Sequence, residues 1–231
     1  MKKDEFNAIL SQKFGSLWEQ NRFILFEKYY SFLLENNKKF NLTRLIDDSK
    51  IYQNYFLESL LPFANMDLNH LKILDIGSGS GIPGIALKIV FPQMKLTIIE
   101  ANAKKIKFMQ MLVDHLGFQD VTFYHQRAEQ IQSEQKQQFD IVTSRAVASL
   151  EILLEISSPY TKLNGLIIEP KSIKYQQELT KAYRLLNDLG LELKNIENYQ
   201  TDKQNYVLYF KKIKECAKIY PRSWKEIIKN K

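Results

Sequence analysis

The run Leu74-Asp75-Ile76-Gly77-Ser78-Gly79-Ser80-Gly81-Ile82-Pro83-Gly84 constrains this chain more than any other stretch. An apolar strand-like segment, Leu71 to Ile76, leads straight into alternating glycines, and an apolar helix-like segment from Pro83 to Phe91 follows. Glycines at such a junction let the backbone take positive φ and approach a ligand closely, because no side chain stands in the way. Strand, glycine turn and helix in that order predict a ligand-binding α/β unit.

The rest of the chain extends that unit in both directions. Before it the rhythm is helical: Phe26, Tyr29, Tyr30 and Leu33 fall at i, i+3, i+4 and i+7. A second apolar pattern through Tyr55, Phe56, Leu60 and Leu61 follows Asp47-Asp48-Ser49, an N-cap cluster. Lys38 to Arg44 is a polar connection between them. After Leu71, strand candidates stand at Leu71 to Ile76, Lys95 to Glu100, Val121 to Tyr124, Phe139 to Thr143 and Gly165 to Glu169. Helix candidates at Pro83 to Phe91, Ala103 to Leu116, Leu150 to Ser157 and Lys174 to Leu189 alternate with them, which argues for a doubly wound, Rossmann-like α/β sheet. Leu193 to Tyr199 and Tyr206 to Lys212 are joined by too short a link for a crossover helix, so they should form a C-terminal antiparallel hairpin on a mostly parallel sheet. The expected division is a helical subdomain at 1–70 packed on the core, a ligand-binding domain at 71–213 and a basic tail at 214–231. Gln126 to Gln138 is Gln-rich and reads as a solvated helix or loop.

With 231 residues and 45% hydrophobic content, the chain can bury one sizeable core. Its single cysteine, Cys216, rules out an internal disulfide and a Cys-rich zinc site and fits a reducing compartment. No apolar run reaches the length of a signal peptide or a membrane span, so a soluble, cytoplasmic protein is expected. The net charge is +7, and from Lys211 onward eight Lys and Arg face two Glu. That tail is either a solvated terminus or a nucleic-acid contact surface.

Gly79-Ser80-Gly81-Ile82-Pro83-Gly84 satisfies the dinucleotide fingerprint, with Glu100 near the position of a ribose-binding acid, so a nicotinamide-dependent oxidoreductase is one reading. Asp75 at the end of the first strand would repel a diphosphate and attract a cationic amino-acid ligand. Pro83 removes an amide that a pyrophosphate would use, and no second nucleotide signature follows Glu100. S-adenosylmethionine, with a sulfonium, an ammonium, a ribose diol and no phosphate, answers these groups better. Asp75 can also cap local amides, and Glu100 can act as a helix N-terminal acid.

The run Leu74 to Leu87, with its internal proline, resembles the loop of the RsmG (GidB) family, the bacterial 16S ribosomal RNA guanine-N7 methyltransferases. Asn41-Leu42-Thr43, Lys104-Lys105-Ile106-Lys107-Phe108, Arg127-Ala128-Glu129, the block Phe139 to Leu150 containing Ser144-Arg145-Ala146, and Tyr220-Pro221-Arg222 resemble further family motifs in the same order. Three segments depart from the family pattern. Asn54-Tyr55-Phe56-Leu57-Glu58-Ser59-Leu60 stands where Arg-His-x-x-Asp-Ser-Leu is common, Glu169-Pro170-Lys171-Ser172 replaces a Lys-Gly ending, and Ser223-Trp224-Lys225-Glu226 replaces a Gly-x-Pro-x-Lys pattern. The resemblance implies methyl transfer from S-adenosylmethionine to guanine N7 of small-subunit ribosomal RNA, without a metal. It implies a cofactor site of Gly77, Ile82, Ala128, Glu129 and Arg145, joined to the Asp75, Gly79, Gly81 and Glu100 already singled out. Glu129 can equally be a loop-solvating residue and Arg145 an ion-pair partner.

Guanine N7 offers a lone pair and no proton, so no general base and no catalytic side chain is expected. His70, His115 and His125 form no recognisable triad or metal pattern. Catalysis would then rest on alignment and water exclusion. N7 lies in the narrow groove of A-form duplex, which implies a loop or splayed target in a structured RNA. Phosphate contacts are expected from Lys104, Lys105, Lys107, Lys171, Arg222 and Lys225, on a protein acting as a monomer. Methylation of another RNA, of protein or of a small molecule remains an alternative. Thr143-Ser144-Arg145-Ala146 in place of an Asn-Pro-Pro-Tyr-like motif disfavours exocyclic amines without identifying N7.

Overall fold

The computed structural model describes residues 1–40, 42 and 47–229; Asn41 and Thr43 of the Asn-Leu-Thr motif lie outside them. Two long helices open the chain, α1 (Lys3–Phe14) and α2 (Gln20–Phe40). The connection expected at Lys38 is still helix, because Phe40 is drawn into the core and pulls the last turn with it. Then α3 (Asp48–Lys50), a π-helical stretch (Ile51–Leu57) and α4 (Glu58–Leu60) run on continuously. Asp47 caps this stretch, its carboxylate accepting the Ser49 amide.

A seven-stranded sheet follows, in the order β3-β2-β1-β4-β5-β7-β6. Its members are β1 (Lys72–Ile76), β2 (Lys95–Glu100), β3 (Val121–His125), β4 (Phe139–Ser144), β5 (Thr161–Lys171), β6 (Leu191–Gln200) and β7 (Gln204–Lys212). The first five are parallel, whereas β7 runs antiparallel between β5 and β6. The hairpin thus sits at the sheet edge with its second strand inward. Intervening helices are α5 (Gly84–Val90), α6 (Ala103–Leu116), α7 (Leu150–Ser157), α8 (Tyr175–Tyr183) and α9 (Leu186–Leu189), and α10 (Trp224–Lys229) ends the described chain. The single helix expected over Lys174 to Leu189 is two, and the break lets Leu186 and Leu189 turn into the core before Gly190 stops the chain in a left-handed cap.

Alternate strand residues feed two cores, as a sheet covered on both faces requires. Ile73, Ile98, Ile141 and Ile168 pack with α5, α6 and the N-terminal helices, where Phe6, Phe26, Tyr52 and Phe56 form an aromatic nucleus. Leu74, Ile99, Val142 and Ile167 pack with α7, α8 and α9. The tail is not simply solvated: Ile227 is buried in this second core, and Trp224 packs against it. Nor is all of its charge outward, since Lys212 is buried with Nζ donating to the carbonyls of Ser158 and Leu189 at 3.0 Å. Gln135 of the Gln-rich loop is also buried, its side-chain oxygen accepting the Gln132 amide at 2.9 Å. Among the described residues no helix is long and apolar enough to cross a membrane.

Candidate functional site

The chain reverses its winding between β1 and β4, so the loops after these strands diverge and leave a crevice at their carboxyl ends. The loop after β1 is shaped by Gly77, Gly79 and Gly81, with φ of 69°, 65° and 105°. The φ of Gly81 is closed to L side chains, and a Cβ there would also meet the Tyr29 hydroxyl at 2.6 Å. At Gly77 a Cβ would strike Val147 at 2.7 Å, so glycine is what lets the β1 and β4 loops meet.

Five of the seven amides between Gly77 and Gly84 are spent internally. Gly77 donates to the Ile99 carbonyl, Gly81 and Ile82 to the Ser78 carbonyl, Gly79 to Glu100 Oε2 at 3.1 Å and Gly84 to Asp75 Oδ2 at 2.8 Å. Two carboxylates therefore occupy the donors that would otherwise cradle a pyrophosphate. This arrangement opposes a nicotinamide dinucleotide.

A cleft of about 240 Å³ opens beside the loop. Gly77, Glu100, Ala128 and Glu129 line it together, with Val147, Ile152 and Trp224 as further walls. Glu100 is nearly buried; besides Gly79 it accepts the Asn102 amide at 2.9 Å, and each oxygen keeps a lone pair for a hydroxyl. Glu129 is held by Arg127, whose guanidinium carbon lies 4.5 Å from the centre of the Trp224 indole. Glu100 and Glu129 beside apolar walls and a bare glycine fit a ribose carrying a flat base, the nucleoside part of S-adenosylmethionine. Gly79 and Ile82 sit half-exposed on the neighbouring loop.

Other expected residues are placed differently. Asp75 is wholly enclosed behind the loop, its Oδ2 also accepting the Ser78 hydroxyl at 2.5 Å, so it braces the turn, while its Oδ1 has no hydrogen-bond partner. Burial, opposed by those two hydrogen bonds, pushes its carboxyl up to about 7. Gly81 is likewise buried, against Tyr29. Arg145 turns its guanidinium toward the N-terminal helices, donating to the Tyr55 carbonyl at 2.9 Å, Glu58 at 2.8 Å, Ser59 Oγ and the Asn54 carbonyl. The following residue, Ala146, takes a left-handed φ of 58°, and Ala148 borders both the first cleft and a second one of about 330 Å³ that contains Arg145, Pro170, Tyr199 and Lys203.

Two of the expected phosphate-binding residues are spent on carboxylates. Lys171 is nearly buried, with Nζ 3.0 Å from Glu178 and 3.2 Å from the Ala148 carbonyl. Arg222 forks onto the buried Glu155 at 2.9 and 2.6 Å. Lys104, Lys107 and Lys225 are exposed and Lys105 half-exposed, and among the described residues none of them pairs with a carboxylate.

Sequence reasoning missed Tyr29, Tyr55, Glu58, Ser59 and Trp224. The acid-serine pair inside the apolar stretch at Leu57 to Leu61 was the available signal for Glu58, and an indole inside a basic tail was the signal for Trp224.

Comparison with known proteins agrees with this geometry. Residues 23–207 match the family model GidB, rRNA small subunit methyltransferase G. A protein named ribosomal RNA small subunit methyltransferase G from Ureaplasma parvum serovar 3 is 43% identical, over 99% of this chain and 98% of its own. One of the same name from Geobacillus sp. is 37% identical over 94% of each. Among solved structures, M. jannaschii TYW2 in complex with AdoMet superposes with a TM-score of 0.58 at 17% identity, covering 74% of this chain and 80% of its own. A SAM-dependent methyltransferase from Aquifex aeolicus gives 0.57 at 16%, covering 76% and 98%; both likenesses concern the fold alone. The chain belongs to the rRNA small subunit methyltransferase G (GidB) family.

Proposed function

We propose that this chain transfers a methyl group from S-adenosylmethionine to N7 of a guanine in small-subunit (16S) ribosomal RNA, as a cytoplasmic monomer. The observation that carries the reading is Glu100 lining a cleft beside a glycine loop whose Gly79 and Gly84 amides are already taken by the carboxylates of Glu100 and Asp75. Glu100 accepts the ribose hydroxyls, Gly77 admits the ligand to the sheet edge, and Ala128 with Glu129 flanks the base. Bound there, S-adenosylmethionine supplies an electrophilic methyl, and N7 accepts it without releasing a proton, so no side chain acts as general base.

The second cleft is the natural seat for the target guanine. It meets the first at Ala148, and its positive Arg145, Lys171 and Lys203 are partly balanced by Glu58 and Glu178, so it suits a polar, uncharged base. The chain's contribution is to hold the two reactants in line and exclude water between them. Exposed Lys104, Lys107 and Lys225 provide phosphate contacts at the periphery.

Incubation with labelled cofactor and naked ribosomal RNA, assembled small subunits or protein, followed by mapping of the modified nucleotide, tests the proposal. Label at N7 of one guanine is expected. Label on protein, or on no RNA in any form, would overturn it. Titration with S-adenosylhomocysteine and with NAD separates the oxidoreductase reading, which requires NAD to bind.

A further inference from the structure

The C-terminal segment brings Trp224 to the wall of the first cleft and is anchored on either side of that residue. Arg222 forks onto Glu155 of α7, and Ile227 inserts into the core beneath α7. Between these anchors Trp224 faces the cleft, half-buried, in the segment that departs from the family pattern. Its indole is held in place by Arg127, which is itself fixed by Glu129. The helix start is closed locally, with the Ser223 amide and hydroxyl donating to Glu226 at 3.0 and 2.6 Å.

We infer that Trp224 is a cofactor-binding residue, the aromatic wall against which the adenine ring of S-adenosylmethionine packs; this rests on the cofactor reading proposed above. The polar side chains of the cleft are Glu100, Gln126, Arg127 and Glu129, and its apolar walls other than Trp224, among them Val147, Ile152 and Ile156, are aliphatic. A flat, weakly polar base is the part of the ligand that gains most from such a surface, and an indole adds stacking that aliphatic walls lack. The Glu129–Arg127–Trp224 series then links the loop after β3 to the C-terminal helix, so adenine binding and docking of that helix reinforce each other.

Intrinsic fluorescence of the full chain tests this directly, because Trp18 is the only other tryptophan and its indole is tied to Asn7 in the N-terminal helices. S-adenosylhomocysteine and adenosine should quench the emission, and methionine should not. Trp224→Phe should abolish the quench while calorimetry shows an affinity within about threefold of the wild type, since a ring is retained. Trp224→Ala should weaken binding about tenfold, a modest loss for a base–aromatic stack. Binding of S-adenosylhomocysteine by the wild type with no change in fluorescence and no loss in Trp224→Ala overturns the role of Trp224 and leaves the cofactor reading standing. No binding by the wild type overturns both, and quenching by methionine but not adenosine overturns the adenine assignment.

Discussion

Tyr29, in the second helix, donates its hydroxyl hydrogen to the Ser80 carbonyl at 2.6 Å, in the middle of the glycine loop. Tyr55 hydrogen-bonds the Ser80 hydroxyl from the π-helical stretch. The N-terminal helices therefore support the loop from behind. Tyr29→Phe leaves a buried carbonyl without its donor and should lower stability by about 1–3 kcal/mol, seen as a lower urea midpoint. Cofactor affinity should fall with it, because the loop loses its backing.

Gly79 and Gly81 should respond differently to alanine. Gly79 has a left-handed φ and no neighbour closer than 4.0 Å to an added Cβ, so Gly79→Ala should cost about 1 kcal/mol. Gly81 combines a φ of 105° with contacts at 2.6 Å to Tyr29 and 2.8 Å to Ile85, so Gly81→Ala should cost roughly 3 kcal/mol or more. Thermal melts of the two variants give the comparison, and equal losses would contradict this packing.

Arg145 serves four acceptors at once, and Glu58 beneath it is buried. Arg145→Ala should destabilise by about 3 kcal/mol or more, because it strips Glu58 of its closest cation and leaves only the more distant, exposed Lys203 at 3.4 Å. Glu58→Gln in the same chain should recover part of that loss, a coupling readable in a double-mutant cycle. A larger effect on cofactor affinity than on stability would instead assign Arg145 to the ligand.

Stability should fall between pH 4 and pH 7. Burial holds the carboxyls of Asp75 and Glu169 up at about 7, so the folded chain keeps protons that the unfolded chain releases near its ordinary carboxylate range. Each raised carboxyl therefore removes stability as pH climbs from about 4 to its folded value, and the effect levels off above it. Asp75→Asn should flatten this slope by on the order of 2–4 kcal/mol between pH 4 and 8, with the remainder due to Glu169. Denaturant titrations across that range measure it, and an unchanged slope would mean that Asp75 is ionised throughout.

Charge reversal should separate surface from internal cations. Lys104→Glu and Lys225→Glu should each weaken RNA binding and reduce the salt slope by about 1 while leaving S-adenosylhomocysteine affinity intact. Arg222→Glu would place a second acid against buried Glu155 and should lower the melting temperature as well as RNA binding. A loss of RNA binding without a loss of stability in Arg222→Glu would show that Arg222 contacts phosphate directly.

Local sequence determined the α/β alternation, the glycine turn and Glu100 at the end of its strand. Apolar runs bounded by turn residues specify strands buried on both faces, and positive φ selects glycine at single positions, so both are written in adjacent residues. The spending of ion pairs was not local. Asp75 reads as an available acid until the loop folds over it, Arg145 as a cofactor contact until Glu58 arrives from the N-terminal helices, and Arg222 as a phosphate ligand until Glu155 does. For both arginines the neutralising partner lies scores of residues away, whereas Asp75 is enclosed by its own loop through Ser78 and Gly84. Only the tertiary structure brings those partners within hydrogen-bond reach, and the same docking carries Trp224 to the cleft.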